Sequence, residues 1–456
     1  MKNMTLKNVA EACGGYLHPC NTKIYEEIKG ITIDSRKIQE DYLFIATKGE
    51  RVDGHDFIDM VIDKGAIAVI CEKEPSSKEI PYILVKDSFC ALKDIAEFYR
   101  MQLKIPMIGI TGSVGKTSTK EMVAAVLEQK FKVLKTAGNF NNEVGLPLTI
   151  LQITREHEAA VLEMGISEFG EMHRLSKIAK PDICVLTNIG LCHLENLKSR
   201  DGILQAKSEI FDFISENGEV CCNGDDDKLM TIGKIKGRFP VFFGLAPKND
   251  IYANEILNHG LFGTSCTIHT KKGNISVSIP LPGEHMIYNA LAATSVGLSL
   301  KLSLAEIQKG IASIQPVNGR SNLIKTKRYT LIDDCYNANP TSMKAAIDLL
   351  KTANTRKVAI LGDMFELGIH EKEMHRDIGN YVAKAEIEVV ICIGNLSFYI
   401  YEAIKDNFKN QVHYFETKQE FLSNISMILQ PSDTILIKAS HGMEFENIVN
   451  ALQKCH

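Results

Sequence analysis

Ile108-Gly109-Ile110-Thr111-Gly112-Ser113-Val114-Gly115-Lys116-Thr117-Ser118 decides the fold of this 456-residue chain. Met107 to Thr111 is an apolar run of strand length, and Thr119 to Gln129 carries a helical pattern, so the glycines fall at a strand-to-helix turn. Gly112 and Gly115 permit a tight turn whose backbone N–H groups face an anion. Lys116 adds positive charge for the β- and γ-phosphates, and the Thr117 hydroxyl can ligate Mg²⁺. The strict G-x-x-x-x-G-K-T pattern would need glycine where Ile110 stands; the chain carries the shorter T-G-x-x-G-K-T form, still between strand and helix. The stretch reads as a nucleotide-phosphate loop, with Gly112, Ser113, Gly115, Lys116, Thr117 and Ser118 at the nucleotide.

Beyond the loop, strand and helix patterns alternate. Ala160 to Glu163, Ile183 to Thr187, Glu219 to Asn223 and Val241 to Phe243 are candidate strands, which predicts a mostly parallel sheet with helices on both faces. Before the loop, an amphipathic helix is expected between Asp87 and Leu103. Ahead of that, Ile31 to Ile33, Leu43 to Ala46, Ala66 to Cys71 and Tyr82 to Val85 alternate with a helix near His55 to Lys64, a small α/β unit. Near Pro316 the pattern resets at Asn318-Gly319-Arg320. Five further strands follow, at Tyr329 to Asp333, Lys357 to Leu361, Val389 to Ile393, Val412 to Phe415 and Thr434 to Lys438. The expectation is an α/β protein of three domains: 1–85, 86–316 with the phosphate loop, and a Rossmann-like 317–456. That last unit has no G-x-G-x-x-G fingerprint, so no dinucleotide cofactor is expected.

Composition narrows the classes. A 45% hydrophobic and 24% charged chain is globular rather than disordered, and a net charge of −4 offers no basic field for nucleic acid or an anionic membrane. The twelve cysteines contain no C-x-x-C pair, and Cys71, Cys184 and Cys392 sit inside apolar runs as reduced core residues would. Met1 to Gly14 lacks the basic start and apolar stretch of a signal peptide, and no apolar run reaches the roughly 18 residues a membrane span needs. A cytoplasmic location without membrane insertion is expected.

Several polar residues fall where chemistry could occur. Glu163 ends an apolar strand at the carboxyl edge of the phosphate-loop sheet, where a carboxylate can bind Mg²⁺. His193 follows the next strand; taken alone, such a histidine is more often a satisfied polar residue than a ligand. Lys207, on a helix pattern from Asp201 to Ile214, is by propensity a solvated lysine. Asp34-Ser35-Arg36 is a polar cluster at a strand end, and Asn139, Asn141 and Asn142 crowd the loop Thr136 to Pro147; either suits a phosphate or sugar, or simply a turn. His370 and His375 imitate a zinc-protease motif but are five apart, so they point to different helix faces.

The ordered set Asp34-Ser35-Arg36, Thr111 to Ser118, Asn141-Asn142-Glu143-Val144-Gly145-Leu146-Pro147, Asp333-Asp334-Cys335-Tyr336-Asn337-Ala338-Asn339-Pro340 and Leu361-Gly362-Asp363-Met364-Phe365-Glu366-Leu367-Gly368 resembles the Mur ligase family across essentially the whole chain. These are ATP-dependent amide-forming enzymes of peptidoglycan precursor synthesis. Within the family the set fits the branch that adds D-Ala-D-Ala to UDP-MurNAc-tripeptide through an acyl phosphate, since the N-T-T-P and D-N-P-R strings of the sister branch are missing. The resemblance implies ATP and Mg²⁺ as cofactors, residues 1–85 as the UDP-substrate domain, and a monomer. It reverses the propensity reading of Lys207, which in Ala206-Lys207-Ser208-Glu209 would be carbamylated by CO₂ and become a metal ligand. Glu163, His193 and Lys207 would hold one Mg²⁺, with Thr117 and Glu163 serving another. Asn289 would contact adenine, Asp334 the ribose and Arg320 the γ-phosphate. Ser35, Arg36, Asn141, Asn142, Lys438 and Ser440 would face the substrates. Met286 departs from the family's Asn, and Ala439 and His441 from its usual Gly and Arg. A GTP-type switch is the rival from another class, but its N-K-x-D motif has no counterpart, for the chain contains no Asn-Lys dipeptide. A folylpolyglutamate synthetase or another Mur ligase is the rival among enzymes.

Overall fold

Met107–Thr111, buried along its whole length, lies inside a nine-stranded sheet of the computed structural model, which describes residues 1–18, 22–76 and 80–455. It pairs in parallel with Ala159–Glu163 on one side and Ile183–Leu186 on the other. Val133–Lys135 closes the near edge, while Glu219–Asn223, Val241–Gly244 and Ile251–Asn258 extend the parallel run outward. Alternate residues feed two cores. Ile108, Ile110, Val161 and Val185 pack with helices Lys116–Leu127 and His285–Ser299, whereas Met107, Leu162, Cys184 and Leu186 pack with helix Ser88–Arg100. With both faces covered, the strands can be apolar throughout, which is why they read as unbroken runs. The chain leaves Met107–Thr111 toward one edge and later crosses to the other, so the carboxyl ends of three neighbouring strands open on one crevice.

The sheet departs from the expected one at its far end. Ile251–Asn258, Thr264–Thr270 and Gly273–Ile279 form an antiparallel meander. Its middle strand buries Thr264, Cys266 and Ile268 and leaves the residues between them partly open, the alternation of a sheet with one covered face. Val133–Lys135, at the opposite edge, was also absent from the sequence expectation.

The N-terminal sheet runs Tyr16–His18, Tyr82–Leu84, Ala68–Cys71, Tyr42–Ile45, Gly30–Thr32, all parallel except the first. It does not have a core of its own on every side. Leu43, Ile70 and Ile83 belong to the same apolar cluster as Leu92, Ile95 and Tyr99 of helix Ser88–Arg100 and as Leu162 of the central sheet. Asp87 starts that helix by accepting the Cys90 N–H at 2.8 Å. The helix is therefore shared between the first two units.

The C-terminal sheet has the five expected strands, in the order Thr330–Asp333, Thr434–Lys438, Lys357–Gly362, Val389–Ile393, Gln411–Phe415, all parallel. A sixth, Asn322–Lys325, joins antiparallel at the edge. Helices cover both faces. Among the described residues no helix is long and apolar enough to cross a membrane, and the cysteines are free.

Candidate active site

The phosphate loop is braced from behind by the segment after Ile183–Leu186. Ser113 N–H donates to the Asn188 carbonyl (3.0 Å) and Val114 N–H to Asn188 Oδ1 (2.9 Å), while the Val114 carbonyl accepts from Thr187 Oγ1 (2.7 Å) and Asn188 Nδ2 (2.9 Å). Glycine is required at both corners. Gly112 has φ 152° and a Cβ there would stand 1.9 Å from Thr187 Oγ1; Gly115 has φ 85°. No side chain caps helix Lys116–Leu127, so its first N–H groups are left for a ligand. Lys116 folds back to donate to the Gly112 carbonyl at 2.9 Å. Ser113, Gly115, Lys116 and Ser118 line a cleft of about 580 Å³.

Glu163 projects from the next strand end into the same cleft and is 2% exposed. Its Oε1 accepts from Asn141 Nδ2 at 2.8 Å, and its backbone N–H donates to Thr136 Oγ1 at 3.0 Å. Oε2 has no hydrogen-bond partner among the described residues; the Lys120 ammonium is 3.9 Å away. Lys120 was not singled out from sequence. It is 1% exposed, and its Nζ donates to the Thr136 carbonyl at 2.7 Å and pairs with Glu121 at 3.1 Å. Glu163 and Lys120 thus form a buried pair of opposite charge beside the phosphate loop.

Lys207 is fully buried, and its Nζ has no partner among the described residues. The solvated-lysine reading is overturned. Ile203, Ala206, Lys207 and Ile210 follow one another at helical spacing, and the three apolar members are 0% exposed, so Lys207 sits in the inward stripe. Burying Ile203 and Ile210 contributes about 1.5–3 kcal/mol each, enough to hold the lysine inside. Burial lowers its pKa from 10.5 to about 8, with the nearby Lys116 charge acting in the same direction and Cys192 against it. The helix expected from Asp201 to Ile214 is α-helical over Arg200–Ser208 and tightens into a 3₁₀ turn at Glu209–Phe211.

His193 lines the cleft beside this lysine's neighbour Cys192 and adopts φ 50° ahead of helix Leu194–Leu197. Its Nδ1 lies 2.6 Å from Glu366 Oε2 of the C-terminal unit, an ion-pair distance but out of line for a regular hydrogen bond. Among the described residues no group of three or more His, Cys, Asp or Glu side chains could hold a metal. Glu163 and His193 suffice only with a third donor. The open Oε2 of Glu163 and the orphaned Nζ of Lys207 fit a divalent cation once Lys207 carries an acidic group.

The C-terminal unit supplies the cleft's other wall. Asp334, just past strand Thr330–Asp333, and Lys438, the last residue of the adjacent parallel strand, are hydrogen-bonded to each other; Asp334 Oδ1 also accepts the Ser321 N–H at 2.8 Å. Arg320 stacks on the Tyr336 ring, 3.9 Å from its centroid, and Nη2 donates to Thr117 Oγ1 at 3.2 Å. Thr117 thus faces a second cavity, of about 530 Å³, and Arg320 lines both. Asn289 is buried with Oδ1 accepting from Thr119 Oγ1 at 2.9 Å and Nδ2 against Met286 Sδ at 3.2 Å, so the departing Met286 helps set the Asn289 amide. Beside them, burial lowers the His285 pKa.

Other expected residues lie outside this cleft or act within the protein. Ser35 and Arg36 do not line it; the Arg36 guanidinium forks onto Asp34 at 2.8 and 2.9 Å and is otherwise exposed. Asn142 lines the cleft but uses Oδ1 to accept the Val144 and Gly145 N–H groups at 3.2 and 2.9 Å. Ser440 braces a neighbouring loop, Oγ accepting the Phe365 N–H at 2.9 Å. His375, the decoy, is buried with Nδ1–H donating to the Glu371 carbonyl (2.6 Å) and Nε2 accepting the Met364 N–H (2.9 Å).

Known proteins resemble this chain end to end. Three family models match: "Mur ligase family, catalytic domain" over residues 27–135, "Mur ligase middle domain" over 110–297 and "Mur ligase, glutamate ligase domain" over 319–441. The UDP-N-acetylmuramoyl-tripeptide--D-alanyl-D-alanine ligase of Bacillus subtilis (strain 168) is 39% identical over 99% of both chains. The Escherichia coli (strain K12) enzyme of the same name is 34% identical over 100% of this chain and 99% of its own. Among solved structures, MurF from Acinetobacter baumannii superposes with a TM-score of 0.90 at 33% identity, covering 99% of each chain. The MurF ligase of Thermotoga maritima in complex with ADP gives 0.82 at 30% identity, covering 93% of this chain and 97% of that one. With its phosphate loop, its three sheets and its full length matched in this way, the chain belongs to the Mur ligase family.

Proposed function

We propose that this chain is an ATP-dependent ligase that joins D-Ala-D-Ala to the peptide carboxylate of UDP-MurNAc-tripeptide, the activity for which its Bacillus subtilis and Escherichia coli relatives are named. The observation that carries the reading is one cleft lined both by the phosphate loop with Glu163 and His193 and by Asp334, Arg320 and Lys438 of the C-terminal unit. Two substrates can then react beside a nucleotide held between two walls.

The substrate carboxylate attacks the γ-phosphorus, the bond to the bridging oxygen breaks, ADP leaves, and an acyl phosphate forms. The dipeptide amine, after losing a proton, attacks the acyl carbon. The tetrahedral intermediate collapses with loss of phosphate, leaving the amide. Phosphorylation is needed because a carboxylate is a poor electrophile, and Lys116 offsets charge on the transferring group.

Gly112, Ser113, Gly115, Lys116, Thr117 and Ser118 hold the phosphates, Asn289 the adenine, Asp334 the ribose, and Arg320 the γ-phosphate once it leaves Thr117. Lys207, as a neutral amine, adds CO₂ and releases a proton to become a carbamate; with Glu163 and His193 it holds one Mg²⁺, and Thr117 with Glu163 holds the other. Magnesium, when bound, neutralises charge between attacking carboxylate and nucleotide. Ser35 and Arg36 take the UDP end of the substrate within residues 1–85; Asn141, Asn142, Lys438 and Ser440 lie along its peptide or the dipeptide. Residues 86–316 and 317–456 form the other two domains, and the protein works as a cytoplasmic monomer. The test is ¹⁸O in the terminal carboxylate of UDP-MurNAc-tripeptide: one label per turnover appears in released phosphate. Phosphate free of label would exclude the acyl phosphate.

A further inference from the structure

The contact between His193 and Glu366 spans 173 positions of sequence and joins two units. Both partners hold a left-handed backbone, φ 50° and 62°, which costs a non-glycine residue energy and persists only where the surroundings enforce it. On the Glu366 side they do. After strand Lys357–Gly362, Met364 N–H donates to His375 Nε2 (2.9 Å), Phe365 N–H to Ser440 Oγ (2.9 Å), and Ser440 N–H to the Asp363 carbonyl (2.9 Å). The Asp363 carboxylate accepts the Leu396 and Ser397 N–H groups at 3.0 and 2.7 Å. At Gly368, φ 67°, a Cβ would stand 3.6 Å from Glu195 Cα, so this loop runs close to the backbone that follows His193. A rigid loop of the C-terminal unit thus delivers one carboxylate to the imidazole that lines the cleft.

We propose that Glu366 is a positioning residue for His193. By accepting the Nδ1 proton it fixes the tautomer that leaves Nε2 free for a cation, so that the second cation site is finished by docking of the C-terminal unit. This rests on the reading of His193 as a ligand. Carboxylates behind ligating histidines orient the ring and raise its basicity, and their loss typically weakens metal binding 10–100-fold. The 2.6 Å contact is oblique here, and catalytic contacts of this kind often align only when a site is loaded.

The test uses the full-length protein labelled with ¹⁵N-histidine, its His193 signals assigned by their loss in His193→Gln. In the wild type Nδ1 carries the proton. In Glu366→Ala, and in Glu366→Gly, which suits the left-handed backbone, the ring becomes a mixture of tautomers; Glu366→Gln, which keeps an acceptor oxygen, retains the wild-type pattern. Mn²⁺ titration by electron paramagnetic resonance with a non-hydrolysable ATP analogue then reads the sites directly. Two ions bind the wild type, and the Ala and Gly variants weaken only the second, by about tenfold or more. One ion in the wild type would overturn the ligand reading of His193 itself. Two ions with unchanged tautomer and affinity in both variants would overturn the role of Glu366.

Discussion

Replacing Lys207 by methionine should make the protein more stable while removing its activity. Burial lowers the Lys207 pKa from 10.5 to about 8, and that difference of roughly 2.5 pH units, at about 1.36 kcal/mol each, comes to about 3 kcal/mol against the charged form. The folded value is the lower one. Between about 8 and 10.5 the unfolded chain binds more protons than the folded one, so stability rises with pH across that window, and below about 8 the full penalty is present. Methionine is nearly as long, carries no charge, and suits a fully buried position in the inward stripe of Ile203, Ala206 and Ile210. In metal-free and CO₂-free buffer at pH 7, Lys207→Met should raise the urea midpoint by an amount worth up to about 3 kcal/mol at unchanged m, and the gap should shrink as pH rises from 8 to 10.5. Ligation with Mg²⁺ and bicarbonate present should be lost. A variant no more stable than the wild type at pH 7, or a gap that ignores pH, would refute the argument that a buried, unpaired ammonium is being tolerated for function.

Three further outcomes follow from the geometry. Gly112→Ala places a Cβ 1.9 Å from Thr187 Oγ1, so ATP binding, measured by calorimetry, should weaken at least about tenfold while the circular dichroism spectrum is kept. His375 is held neutral, its pKa lowered chiefly by burial; its contribution is complete above the ordinary value of 6.5 and is lost as pH falls through the lowered one, so the wild-type melting temperature should decline below about 6.5 and His375→Gln should flatten that decline. Arg36→Ala removes a charged hydrogen-bond donor from the N-terminal unit without touching the nucleotide cleft. The KM for UDP-MurNAc-tripeptide should rise about tenfold or more, with the KM for ATP unchanged.

The parallel strands were legible because strands covered on both faces are unbroken apolar runs; Glu219–Asn223, Val389–Ile393 and Thr434–Lys438 fall where the sequence puts them. Edge elements were not. Val133–Lys135 and Asn322–Lys325 are half-open and short, and the meander from Ile251 to Ile279 mixes exposed polar residues with single buried ones, so no apolar run marks it. In the cleft, the glycines of the phosphate loop and the strand-end Glu163 announce themselves by position. Lys207 carried a signal that propensity hid, for it stands four after Ile203 and three before Ile210. Lys120 gave none and Glu366 only its place in the Leu361-to-Gly368 stretch, since what each does is set by a partner far away in sequence, Glu163 and His193.

The central claim meets its most direct test in a single incubation of the purified chain with ATP, Mg²⁺, D-Ala-D-Ala and UDP-MurNAc-tripeptide, run separately with lysine and with diaminopimelate as the third residue. Liquid chromatography with mass detection should show UDP-MurNAc-pentapeptide from one or both nucleotides, formed in equal amount with ADP, and no product when ATP or the dipeptide is omitted. ADP formed without pentapeptide from either nucleotide would contradict the account.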